Sequence, residues 1–112
     1  MQYLGDDPEE YKLVVNGRRP YDLQTNQAGD DYSDLAHFID VLNNTPDADF
    51  PCAIEEVFNV ADFLEQLALD VLTANWDNYS INKNNYFLYN NPQTGLFEYI
   101  PYDLDNTWGI NW

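Results

Sequence analysis

Between residues 33 and 43 apolar side chains recur as Leu35, Phe38, Ile39 and Leu42, the i, i+3, i+4, i+7 spacing that places them on one face of an α-helix. Asp31 or Ser33 is positioned to cap its start, and Pro46 forbids its continuation. His37 falls off the apolar stripe and reads as solvated. A stronger helical pattern covers residues 60 to 74. Val60, Phe63, Leu64, Leu67, Ala68, Val71 and Leu72 form a wide apolar face, with Asp62, Glu65, Gln66 and Asp70 on the other side. Asn59 is the expected N-cap, and Asp62 stands where a capping box wants an acid. A shorter helical turn is expected over Ala53 to Phe58, with Glu55 and Glu56 on a solvated face.

The period then shortens. After a loop from Asn75 to Asn84, Tyr86-Phe87-Leu88-Tyr89 reads as an aromatic strand and Phe97-Glu98-Tyr99-Ile100 as its return. Asn91-Pro92-Gln93-Thr94-Gly95 between them is turn chemistry, with Gly95 free to take positive φ. Residues 1 to 30 are extended and turn-rich. There Lys12-Leu13-Val14-Val15 is a short strand candidate, Asn16-Gly17 a hairpin signal and Tyr21 to Thr25 a candidate return. The prediction is an α+β chain in which two main helices pack with a C-terminal β-hairpin.

Composition narrows the function. At 112 residues and 45% hydrophobic, with nine Tyr, six Phe and three Trp, the chain has material for a core and is not a disordered acidic tail. Its formal charge of -16 repels nucleic acid and anionic membranes, so neither is an expected partner. The same field repels nucleotide triphosphates unless metal and a cation offset it, and the only cations are Lys12, Arg18, Arg19 and Lys83. Cys52, the one cysteine, excludes an intrachain disulfide and is expected to be a small buried hydrophobe. Trp76, Trp108 and Trp112 are expected in core or interface packing. No segment reads as a signal peptide or membrane span, and the Trp112 ending reads as that of a fragment.

The hairpin gives the polar residues their meaning. With its turn centred near Gln93, antiparallel pairing sets Asn84 or Asn85 across from Tyr102 or Asp103. The loop before the first strand and the acids after the second therefore share one end of the ribbon. Clustered carboxylates and amides are hard oxygen ligands of the kind Mg²⁺ prefers. The order helix, Asp77, Asn82 or Asn85, hairpin, Asp103 matches that of a protein kinase, where a catalytic-loop aspartate and asparagine precede a hairpin and a metal-binding aspartate. Asp77 to Asn82 has the Asp-x-x-x-x-Asn spacing. Asn75-Trp76 replaces the usual His-Arg, and Asp103-Leu104-Asp105 the usual Asp-Phe-Gly.

The chain resembles the C-terminal-lobe segment of the CotH family, the spore coat protein H kinases, which are atypical, secreted or surface-associated and have a diverged protein-kinase fold. The matching stretches are Tyr3-Leu4-Gly5-Asp6-Asp7, Asp31-Tyr32-Ser33-Asp34-Leu35, Asn75-Trp76-Asp77, Asn85-Tyr86-Phe87-Leu88-Tyr89 and Ile100-Pro101-Tyr102-Asp103-Leu104-Asp105-Asn106-Thr107-Trp108-Gly109. The resemblance implies that Asp77 is the catalytic aspartate and that Asp103 binds Mg²⁺ (or Mn²⁺) and through it ATP. It implies Asn85 as a second metal ligand, with Asn82 its rival on spacing, and Asp105 beside the metal or on it. The implied full-length protein transfers the γ-phosphoryl group of ATP to Ser or Thr of a surface or coat protein, outside the cell or on its surface. The family's nucleotide-binding lysine belongs to an N-terminal lobe not contained in residues 1–112, so these residues are expected to be a partial domain, inactive alone. Two alternatives stand beside this: a non-enzymatic surface or spore-coat assembly module that keeps the fold, and a divalent-metal module without nucleotide chemistry. A third possibility takes Asp77, Asn78 and Asn82 as turn residues only. An EF-hand reading of Asp103 onward is weak, because Trp108 stands where the loop requires glycine.

Overall fold

A computed structural model describes residues 1–110. The chain is α+β, with helices α1 (Ser33–Asn44), α2 (Phe50–Glu55) and α3 (Val60–Leu72) followed by an antiparallel hairpin of β1 (Tyr86–Asn90) and β2 (Phe97–Pro101). It forms two compact units, residues 1–54 and residues 55 onward. Among the described residues no helix is long and apolar enough to cross a membrane.

In the first unit a 3-10 turn (Pro8–Lys12) starts at Asp7, whose carboxylate accepts the Glu9 N–H at 3.0 Å, with proline at its first position. It delivers Tyr11 into the interior, fully buried, its hydroxyl donating to the Gly5 carbonyl at 3.1 Å. Tyr32 is likewise buried and donates to the Tyr21 carbonyl at 2.8 Å, with the Arg19 guanidinium 5.8 Å above its ring. Arg19 also pairs with Asp30 and holds that carboxyl below its ordinary range. From α1, Ala36, Phe38, Ile39 and Val41 are buried, while Leu35 and Leu42 are only half-buried, so the inward face is rotated from the predicted stripe. Tyr32 takes the N-cap place without a side-chain bond, and Asp31 instead accepts the Ser33 N–H at 2.9 Å.

The amino-terminal hairpin reduces to its turn. Asn16 and Gly17 both have positive φ (52° and 81°), as a type I′ turn requires, but the pairing is the single bridge Val15 to Arg18. Lys12 belongs to the 3-10 turn, Pro20 has no N–H to extend the ladder, and Leu13, Val14 and Val15 lie exposed. The predicted strands at Lys12–Val15 and Tyr21–Thr25 are therefore corrected to a tight turn between irregular segments. Cys52 is exposed rather than buried, and His37 is exposed as expected.

In the second unit the helix and hairpin are tied at one corner. Asn59 caps α3, accepting the Asp62 N–H, and its own N–H donates to the Phe97 carbonyl at 2.9 Å. Phe97 N–H in turn donates to the Val57 carbonyl at 2.8 Å, making a parallel bridge between Phe58 and Phe97. The core here is aromatic: Phe63 lies 5.2 Å from Tyr99, Tyr99 stacks on Tyr86 at 5.5 Å, and Tyr79 meets Tyr86 edge-on at 5.1 Å. The wide apolar face predicted for α3 is only partly used. Phe63 and Leu67 are half-buried, whereas Leu64, Val71 and Leu72 are exposed, and the buried side chain of the helix is Asp70. A 3.6-residue period identifies which residues share a face, not whether that face has a neighbour. Trp108 is also exposed, at 76%, against the expectation of packing; Trp112 lies outside the described residues.

Candidate functional site

The loop that carries Asp77 is shaped by a buried polar chain beginning inside α3. Asp70, 5% exposed, accepts at one carboxylate oxygen from Gln66 Nε2 and Asn75 Nδ2, both at 3.0 Å. Asn75 is also buried. Its backbone N–H donates to the Asp70 carbonyl at 2.8 Å after Ala74 turns the chain through left-handed φ, and its Oδ1 accepts the Asp77 N–H at 3.2 Å. Buried Asn78 donates to the Asn75 carbonyl at 2.9 Å and accepts from Ile81 N–H at 3.1 Å, while its carbonyl gathers the N–H groups of Asn82 and Lys83. Asparagine suits this work because its short amide can substitute for backbone partners in a turn. The consequence is an Asp77 backbone fixed from the helix side.

The Asp77 carboxylate receives four amide groups. Asn82 and Asn84 donate to Oδ1, the latter at 3.2 Å; Asn85 and Asn106 donate to Oδ2 at 2.8 and 3.1 Å. These donors, Asn82 first and then Asn84, Asn106 and Asn85, hold the Asp77 carboxyl below the usual carboxylate range against the opposing effect of burial. At neutral pH the group is therefore an anion.

Asn85 and Asp103 sit at the two arms of the open end of the hairpin. The register pairs Tyr86 with Pro101, and the next bond is Tyr102 N–H to the Asn85 carbonyl at 3.0 Å, so the predicted juxtaposition of Asn85 with Tyr102 is what forms. Both Asn85 and Asp103 take left-handed backbone (φ 55° and 51°), which Asn and Asp tolerate better than other side chains do. Asn85 Nδ2 also reaches the Asp103 carbonyl at 3.4 Å. Thus Asp77, Asn82 and Asn85 meet directly, and Asp103 joins them through its backbone. The side chains of Asp103 and Asp105 are exposed. The segment after them is anchored by Trp108 N–H to the Thr73 carbonyl at 2.6 Å and by Trp76 Nε1 to the Ile110 carbonyl at 3.1 Å. Lys83, the single Lys or Arg from residue 55 onward, lies 4.7 Å over the Tyr79 ring.

Sequence reasoning missed Asn84 and Asn106 as partners of Asp77, and it placed Asp70 on the polar outer side of α3. The available signal was the density of asparagine, five in the eleven residues from Asn75 to Asn85, more than a solvated turn needs. Among the described residues no three His, Cys, Asp or Glu side chains gather as a metal cluster. The exposed carboxylates of Asp103 and Asp105 and the side-chain oxygens of Asn82 and Asn85 are hard donors that could serve a cation such as Mg²⁺, which keeps water and phosphate among its ligands.

Residues 5–112 match the sequence profile of the family described as CotH kinase protein. The chain is 34% identical over 115 aligned positions to inner spore coat protein H of Bacillus subtilis (strain 168), an alignment covering 96% of this chain and 31% of that protein. It is 32% identical over 73 positions to invasin CotH2 of Rhizopus delemar, covering 64% of this chain and 12% of the relative. The chain thus spans about a third or less of the curated relatives it matches. No solved structure matches it. With the profile extending over nearly every residue, the chain belongs to the CotH kinase protein family.

Proposed function

We propose that residues 1–112 supply the catalytic-loop aspartate and the metal-holding ribbon of an atypical Ser/Thr protein kinase with a diverged protein-kinase fold. The kinase acts at a spore coat or cell surface and uses ATP with Mg²⁺ or Mn²⁺. The observation that carries this reading is the convergence of four amides on the Asp77 carboxylate from both sides of a hairpin whose far arm bears Asp103. The family description supports phosphoryl transfer, and the names of the two relatives support a coat or surface location.

In this reading Asp77 holds the acceptor hydroxyl of a protein serine or threonine. Its depressed pKa makes it a weak base, so its contribution is orientation more than proton abstraction. Asp103, with Asn85 or Asn82, would hold the cation, and Asp105 stands one residue beyond Leu104 as an additional carboxylate. ATP would supply the γ-phosphoryl group there, and its Mg²⁺ would offset the charge on the phosphates. The buried chain Asp70–Asn75–Asn78 holds the Asp77 backbone from the helix side.

The test is transfer of radiolabelled γ-phosphate to a protein acceptor by the full-length gene product. Asp77→Ala and Asp103→Ala should each reduce the rate by about 100-fold or more, the scale on which a positioned catalytic group acts. Undiminished transfer by Asp77→Ala would sink the assignment. A second reading, a coat-assembly module that has kept the fold, is favoured by the single cation Lys83 near so acidic a site and by the coat-protein name of the Bacillus relative. It predicts that both alanine variants still assemble into the coat. A metal module without nucleotide chemistry would bind its cation equally well with and without ATP, whereas the kinase should bind it far better with nucleotide.

A further inference from the structure

The two oxygens of the Asp77 carboxylate have partners of different kinds. Oδ1 is met by Asn82 and Asn84, both exposed side chains of the loop. Oδ2 is met by Asn85 and Asn106, both half-buried and both anchored. Asn85 is held by its backbone bond to Tyr102 at the head of the hairpin. Asn106 is held between Leu104, whose carbonyl accepts the Thr107 hydroxyl at 3.1 Å, and Trp108, whose N–H is bonded to Thr73. An incoming hydroxyl can take the place of an exposed loop amide on Oδ1 without moving the hairpin. It cannot displace the anchored pair without opening the ribbon.

We infer that Asn106 is a positioning residue for Asp77, pinning Oδ2 from the segment that carries Asp103 so that Oδ1 is the oxygen presented to the acceptor hydroxyl. This rests on the reading of Asp77 as the residue that orients the acceptor. Asn85 Nδ2 is shared, since it donates to Asp77 Oδ2 and also reaches the Asp103 carbonyl. Asn106 donates to Oδ2 at 3.1 Å from the far arm of the hairpin, so that the carboxylate is held from both sides. Asn106 also couples the two halves of the site covalently, since it lies three residues beyond Asp103.

The experiment is steady-state kinetics of the full-length gene product with Asn106→Ala and Asn106→Asp, joined to a thermal-unfolding cycle of Asn106→Ala, Asp77→Ala and the double variant. Asn106→Ala should lower kcat by about 10- to 100-fold, the effect of losing a group that orients a functional side chain, with KM for Mg²⁺–ATP unchanged. Asn106→Asp has the same shape but no amide donor and sets a second carboxylate against Asp77, so it should be worse than alanine. A residue that merely fills space would give the opposite order. In the unfolding cycle the double variant should lose less than the sum of the single losses, because both remove one bond. Full kcat in either variant, a rise in KM with kcat intact, or additive unfolding shifts would each overturn the inference. A wild-type product that transfers no phosphoryl group would sink the kinase reading and this inference with it, whereas an active wild type with an unimpaired Asn106→Ala sinks this inference alone.

Discussion

Tyr99 stands between the aromatic core and the buried Asp70. Its ring is stacked on Tyr86 and edge-on to Phe63, and burial first, then the negative charge of Asp70, pushes its hydroxyl up to about 12. A raised folded value means that the unfolded chain ionises first on the alkaline side. The stability contributed by the neutral hydroxyl is whole below pH 10, the ordinary tyrosine value, and is lost as pH rises toward 12. Tyr99→Phe keeps the ring and removes the ionisation. Its unfolding midpoint should therefore fall less steeply than that of the wild type between those two pH values, and parallel declines would show that Tyr99 does not carry the effect. At this scale the sequence was readable where spacing alone sufficed: of the pairings expected at the mouth of the hairpin, Asn84 or Asn85 with Tyr102 or Asp103, the turn centre and antiparallel register deliver Asn85 with Tyr102. It was not readable where depth decided. Asp70 occupies the polar side of a helical wheel, yet it is buried because Gln66 and Asn75 supply its hydrogen bonds from within the same unit. Cys52 shows the reverse, a residue type that favours interiors but is exposed here.

Among the elements, α3 and the hairpin share one polar residue at their corner. Asn59 accepts the Asp62 N–H as a helix cap, and its Nδ2 donates to both Asp62 Oδ2 and Glu98 Oε2 at 2.7 Å. One amide thus stands between two carboxylates that would otherwise face each other. Asn59→Ala removes the cap and the shared donor together and should cost about 1–2 kcal/mol in denaturant unfolding, against roughly 1 for a cap alone. A loss within error of zero would mean that water replaces the amide without penalty. This cap and its acid were legible because capping boxes are local in sequence, and the hairpin was legible because turn composition and aromatic alternation agreed. The amino-terminal strands failed for lack of such agreement. Asn16-Gly17 makes its turn, but Pro20 and the exposure of Leu13 to Val15 deny the flanks a ladder and a buried face. The α3 face lies between these cases: its helix was predictable, while the exposure of Val71 and Leu72 depends on packing that no period encodes.

At the scale of the whole molecule the dominant fact is a net charge of -16 on 112 residues. A nucleotide triphosphate is itself an anion, and two like unit charges about 4 Å apart repel by about 4 kcal/mol at the effective dielectric of a protein surface. Lys83 alone, already seated over Tyr79 with its Nζ 3.4 Å from the Ser80 carbonyl, cannot offset the field of Asp77, Asp103 and Asp105. On the kinase reading proposed above, a divalent cation between the acidic ribbon and the phosphates would reverse the sign of the interaction. Nucleotide binding by the full-length gene product should accordingly be lost on chelation. Removing divalent cations with EDTA is expected to weaken ATP binding by at least about tenfold, equivalent to about 1.4 kcal/mol, when measured by calorimetry at constant ionic strength. Adding Mg²⁺ or Mn²⁺ should restore it, and Asp103→Ala should prevent the restoration. If metal-free ATP binds as tightly as the magnesium complex, the carboxylates at the mouth of the hairpin do not meet the phosphates through a cation, and the proposed role of Asp103 fails.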